Sequence, residues 1–134
     1  MNNGVLVDTD ILIDVLRNFE PTIQRLAEVE EQSQLWVSQI TQMELIVGCQ
    51  DKRSLKKLEK FLEKFSILPI NSAISDRTIK LLSQYRLSHG LLIPDAIIAA
   101  TALVNQFDLL TKNQRDFRFI QNLELIPITR SPLV

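Results

Sequence analysis

Four acidic residues, Asp8, Glu44, Asp95 and Asp116, fall at points in the chain where a carboxylate can do chemistry. Asp8 closes the apolar run Val5-Leu6-Val7 and opens the polar triplet Asp8-Thr9-Asp10. Three consecutive aliphatics bounded by polar residues predict a buried strand of a parallel sheet. Ligands of open α/β sheets gather outside the carboxyl ends of their strands. Each acid also has a plainer reading. Asp8 or Thr9 can cap a helix over residues 11–17. Glu44 lies three residues after Thr41, the spacing of a capping box. Asp95 falls in the first turn of a helix, where a carboxylate complements the macrodipole. Asp116 can be a solvated loop acid paired with Arg115 or Arg118, an arrangement worth little. Taken together, the acids read as a cluster. Carboxylates gathered without compensation repel one another, so the cluster needs a cation. Oxygen ligands without His or Cys select Mg²⁺ or Mn²⁺, completed by water and a substrate phosphate.

Other chemistries are poorly supplied. Cys49 is the single cysteine, which leaves no internal disulfide and no Cys-based zinc cluster. His89 is the single histidine, so a two-histidine acid–base pair is excluded and a Ser–His triad is weakly supported. The formal net charge of −1 offers nucleic acid no broad attraction, so such binding requires local basic residues or metal ions. No apolar stretch approaches the roughly 18 to 20 residues of a membrane span. The N-terminus lacks a basic segment leading into an apolar signal core, and a cytoplasmic location is expected.

The elements that must position these acids follow from periodicity. Strands are predicted at residues 5–7, 35–37, 67–70, 107–110 and 123–126, the third at an edge because of Pro69. Between them run helices over residues 11–17 and 23–31, a third after Ser38 closed by Gly48, and an amphipathic helix over 51–65. A long helix over 72–88 is expected to bury Ile79, Leu82 and Leu87. Pro94 opens another over 95–105, small and apolar almost all round and therefore buried. Residues 114–120 form a short helical or irregular connection. Alternating strands and helices predict a parallel α/β sheet in one domain spanning 1–134.

Four blocks now acquire a common meaning. LVDTDILIDVLR (6–17), SQITQMELIVG (38–48), IPDAIIAATAL (93–103) and TKNQRDF (111–117) stand in the order and spacing of the PIN-domain ribonucleases. The chain resembles those of the VapC type, toxins of prokaryotic type II toxin–antitoxin modules, over nearly its whole length. The resemblance implies a three-layer α/β/α domain with a central parallel sheet in the order 3-2-1-4-5. It places the catalytic acids on Asp8, Glu44, Asp95 and Asp116, with Asp8 and Asp95 as principal ligands of Mg²⁺ or Mn²⁺. Thr9, Thr111 and Asn113 match positions that orient those carboxylates. Asp10, at a position variable in the family, is read as an outer or capping residue, and Asp14 as paired with Arg17 or solvated. Backbone contacts to RNA are expected from Lys112, Arg115 and Arg118. The implied partners are an RNA substrate, a second copy of the chain and a cognate antitoxin, with DNA reached only through that antitoxin. The apolar sides of residues 21–32 and 52–64 are the expected antitoxin grip.

Four other readings compete. Asp8-Thr9-Asp10 after a strand matches the opening of a haloacid-dehalogenase-type phosphatase, with Asp8 as nucleophile and Asp10 as acid/base. That class expects Gly-Thr or Gly-Val next, whereas Ile11-Leu12 follows. A response-regulator receiver is disfavoured because the third strand runs into Asn71 with no phospho-acceptor acid. Within the PIN fold, a ribosomal-RNA maturation nuclease or a non-catalytic binding module would keep the same architecture.

Overall fold

The computed structural model describes residues 4–129. Five parallel strands form one sheet in the order β3-β2-β1-β4-β5: β1 (Val5–Val7), β2 (Leu35–Ser38), β3 (Ser66–Leu68), β4 (Asp108–Thr111) and β5 (Leu125–Pro127). This is the expected order. β3 takes the expected edge, but it ends at Leu68, one residue before Pro69 would remove a ladder donor. β5 begins two residues later than its apolar pattern suggested, because Asn122 adopts a positive φ of 70° and delays entry into the sheet.

Among the described residues, six α-helices cover the two faces: α1 (Thr9–Leu16), α2 (Glu20–Gln32), α3 (Gln39–Val47), α4 (Lys52–Leu62), α5 (Ser72–His89) and α6 (Ile93–Asn105). Their ends obey local chemistry. Asp51 and Ser54 form a reciprocal capping box on α4, Asn71 caps α5 through the Ile74 amide, and Gly90 closes α5 in the left-handed region. Strand alternation divides the core. Val5 and Val7 join Ile11, Leu12, Leu26, Leu45, Leu58 and Leu62 beneath α1–α4, while Leu6 faces Ile74, Leu81, Ile98 and Ala99 beneath α5 and α6. Ala96, Ala99, Ala100 and Ala102 are fully buried, so α6 lies close to the sheet as its small residues implied.

One expectation about a face fails. On α5 the buried stripe is Ile74, Thr78, Leu81 and Tyr85; Leu82 is half-buried, whereas Ile79 is 63% and Leu87 100% exposed. Thr78 can occupy the core because its hydroxyl donates to the Ile74 carbonyl, which satisfies it within its own helix. On α2 and α4, Leu26, Val29, Leu58 and Leu62 are buried in the chain's own core, and Leu58 also lines a cleft between α1, α3 and α4.

Gly4 precedes β1 where the sole tryptophan crosses it. A Cβ there would lie 2.6 Å from Trp36 Nε1 and 2.7 Å from its Cδ1. The indole is stacked on Phe107 with ring centroids 5.5 Å apart, which restricts its retreat. Gly4→Ala is expected to cost roughly 1–3 kcal/mol and to shift the Trp36 emission, both read in one fluorescence-monitored denaturation. An unchanged midpoint would refute the close approach.

Candidate active site

The strand order reverses between β1 and β4, and this is where Asp8 is held. Asp8 is the residue capping α1, and its Oδ1 accepts from the Thr9 amide at 2.8 Å. Its other oxygen accepts from Thr111 Oγ1, at the end of β4, at 2.7 Å. Cap and site residue are therefore one role, because a carboxylate has two oxygens to distribute. Thr111 in turn accepts from the Asn113 amide at 2.9 Å, and the Asn113 side-chain amide donates to Asp116. One short segment thus steadies two acids from opposite ends. Asp116 belongs to a 3₁₀ turn, Gln114–Asp116, and pairs with neither Arg115 nor Arg118 among the described residues.

Glu44 reaches the same region from α3. Thr9 Oγ1 donates to its Oε1 at 2.8 Å, and Thr41 Oγ1, 2.9 Å away, can supply the proton that Thr9 accepts. The capping-box reading of Thr41 and Glu44 is overturned. Ser38 caps α3 through the Ile40 amide, and Thr41, completely buried a turn further on, serves Thr9 instead. Nothing in the local sequence separates the two readings; only the approach of α1 to α3 does. Asp95 comes from the first turn of α6 with no side-chain cap bond.

Electrostatics bind these positions into one group. Burial raises the Asp8 carboxyl above its usual range, and the Glu44 charge adds to the rise, against the bonds from Thr111 and Thr9. Burial and then the charges of Asp8, Asp116 and Glu44 lift Asp95 to about 6. Asp10 interacts electrostatically with Asp8. Its burial and the neighbouring Asp8 charge lift it to about 7, against the ammonium and backbone amide of Lys112. Its buried Oδ1 has no hydrogen-bond partner among the described residues. Asp14 is the opposite case. Despite its slight burial, hydrogen bonds from Thr22 and Lys112 hold it below the usual range, and its ion-pair partner is Lys112 at 2.9 Å rather than Arg17.

Two clefts open from the acids. A cavity of about 370 Å³ is bounded by Asp95 and Asp116 together with His89, Arg115, Arg118 and Phe119. A second, of about 450 Å³, runs from Glu44 between α1, α3 and α4, past Ile13, Leu16, Leu45 and Leu58. Among the described residues no three acidic, His or Cys side chains form a ready-made metal cage. The donor set still suits a hard cation. It is all oxygen, it carries raised proton affinities that a cation would relieve, and Mg²⁺ commonly keeps several waters while taking only one or two carboxylates.

A parallel 3-2-1-4-5 sheet with acids gathered at its switch point defines a class. The PIN domain family model matches residues 5–122, and the chain belongs to that family. Its relatives include Ribonuclease VapC1 of Methanocaldococcus jannaschii, 32% identical over 90% of this chain and 84% of that protein. Ribonuclease VapC19 of Mycobacterium tuberculosis is 33% identical over 89% of this chain and 96% of its own length. Among solved structures, a toxin–antitoxin complex from Klebsiella pneumoniae superposes with a TM-score of 0.76 at 31% identity, covering 96% of this chain and 100% of that one.

Proposed function

We propose that the chain is a divalent-metal-dependent endoribonuclease serving as the toxin of a toxin–antitoxin pair. One observation carries the reading: Asp8, Glu44, Asp95 and Asp116 share an electrostatic environment that raises the Asp8 and Asp95 proton affinities, with no basic residue paired to any of the four among the described residues. The naming of the relatives as VapC ribonucleases supports it. Asp8 and Asp95 would be the principal holders of Mg²⁺ or Mn²⁺, with Glu44 and Asp116 completing the set or holding a second ion. A bound ion would lower the pKa of a water and offset charge on the scissile phosphate. The chain's own contribution is position. Thr111 and the Thr9 amide keep both Asp8 oxygens in place, Thr9 aims Glu44, and Asn113 aims Asp116. Asp8 is a poor nucleophile as placed, being 6% exposed with each oxygen already accepting a bond, which disfavours the aspartyl-phosphate alternative. Attack of that water on phosphorus, breaking the P–O3′ bond with the proton passing to the departing 3′-oxygen, would leave 5′-phosphate and 3′-hydroxyl ends. Mapping RNA ends after incubation with Mg²⁺ or Mn²⁺, against a chelator control, tests the proposal. Cleavage unaffected by chelation, or 2′,3′-cyclic ends, would overturn it.

The antitoxin fits the cleft beside Glu44. Its rim carries Leu16, 40% exposed, and the neighbouring α3 surface exposes Met43, Ile46 and Val47. An amphipathic segment laid there would reach the acids, and a basic side chain at its end would inhibit by taking the cation's place. A second copy suits a different face, where Leu87, Leu92 and Ile93 stand exposed around a groove that also includes Leu82 and Pro94. Among the described residues no helix is long and apolar enough to cross a membrane.

A further inference from the structure

The 370 Å³ cavity has an aromatic wall for which metal-dependent hydrolysis has no use. Tyr85 and His89 stand one turn apart on α5, and Phe119 follows the 3₁₀ turn that carries Asp116. The His89 and Phe119 rings are stacked, with centroids 4.2 Å apart and planes 9° from parallel. Tyr85 lies edge-on to both, and its hydroxyl accepts from the Gln121 amide at 3.1 Å, tying the Phe119 segment to α5. Ser88 Oγ, 2.7 Å from His89 Nδ1, sets the orientation of the imidazole. His89 is nevertheless exposed. Phe119 stacks on one of its faces, and the ring lines the cavity. Arg115 and Arg118 line the same cavity, and neither guanidinium has a hydrogen bond or ion pair among the described residues.

We propose that this cavity is a nucleobase subsite. The base of a nucleotide flanking the scissile phosphate stacks on the other face of His89, extending the Phe119–His89 stack by one ring. This rests on the ribonuclease reading above. Single-stranded RNA presents splayed bases to aromatic and His side chains, and the volume lies at the lower end of small-ligand sites. Asp95 and Asp116 share the cavity wall, which places the bound base next to the bond to be cut. Arg115 and Arg118 supply contacts to neighbouring phosphates, giving position without sequence information. Stacking accepts any base, so the subsite demands a base at one position and discriminates weakly among bases.

The test is a coupling cycle in the full chain carrying Asp8→Asn, which blocks cleavage, in the presence of Mg²⁺. Anisotropy of a labelled single-stranded RNA oligonucleotide is compared with versions lacking one base at successive positions. One abasic position is expected to weaken binding roughly tenfold, and His89→Ala to weaken the intact RNA by a similar factor. The two changes together should cost no more than either alone, and His89→Phe should retain tight binding. His89→Ala also removes ring contacts to Phe119 and Tyr85, so a thermal melt of each variant and the ring-preserving His89→Phe separate lost packing from lost base stacking. Additive losses, or no loss at any position, would overturn the subsite while leaving the ribonuclease reading intact. Failure of the unmutated chain to cut RNA would remove that reading and the subsite with it. Weakened binding of a co-expressed antitoxin without weakened RNA binding would also refute the subsite.

Discussion

Asp8→Asn is expected to abolish RNA cleavage, by roughly a thousandfold or more, while leaving the melting temperature within a few degrees. The activity loss would follow from removing a proposed cation ligand, an interaction of the kind that supplies several kcal/mol of transition-state stabilisation. The stability result is a near cancellation. Asparagine can accept only one of the two bonds now given by Thr9 and Thr111, and losing one costs about 1 kcal/mol. Against that, the substitution removes a charge that is buried and faces Glu44, the cause of its raised proton affinity. RNA turnover and a thermal melt on the same sample check both parts. Cleavage within tenfold of the unmutated chain would sink the assignment of Asp8, and a collapsed melt would make the residue structural.

The second large effect is a pH dependence that reverses on adding metal. Asp95 at about 6 and Asp10 at about 7 both lie above the usual 3.8 of a free aspartate. A raised acid binds its proton more tightly in the folded state. Its contribution is therefore fully present below about pH 4 and lost as pH rises through about 6 and about 7. Asp14, held low by Thr22 and Lys112, acts in the opposite direction, stabilising above the unfolded value and failing as pH falls below it. The metal-free protein should be most stable in mild acid and lose on the order of 1 kcal/mol from each raised group by pH 8, discounted for solvent screening. That corresponds to a fall of several degrees in melting temperature. A bound cation needs the charged carboxylates, so Mg²⁺ or Mn²⁺ should stabilise increasingly as pH rises, by about 2.7 kcal/mol at a hundredfold excess over Kd. Melts from pH 4 to 8 with chelator and with metal decide it. Parallel curves would mean the acids do not share a cation.

Much of the architecture is legible because it is written in short-range pattern. Val5-Leu6-Val7 can only be a strand buried on both faces, and the Ala-rich run from Ala96 to Ala102 only a helix packed close to a sheet. The α5 face is not legible. Ile79 and Leu87 are as apolar as Ile74 and Leu81, and only the direction from which α6 and the sheet approach decides which pair is covered.

The acids divide in the same way. The chain by itself determines their types, their order and the element each belongs to, because those follow from periodicity and from capping chemistry near each residue. Tertiary structure alone decides their company. It makes Asp8 both cap and site residue by bringing Thr111 to it across the sheet, takes Thr41 from a capping box to Thr9, and gives Lys112 to Asp14. It also sets Asp10 beside Asp8 with an oxygen unpaired. Each is a contact between residues far apart in the chain, or a choice between faces of one helix. No local propensity specifies such contacts; burial and charge do, once the strands have reversed their order.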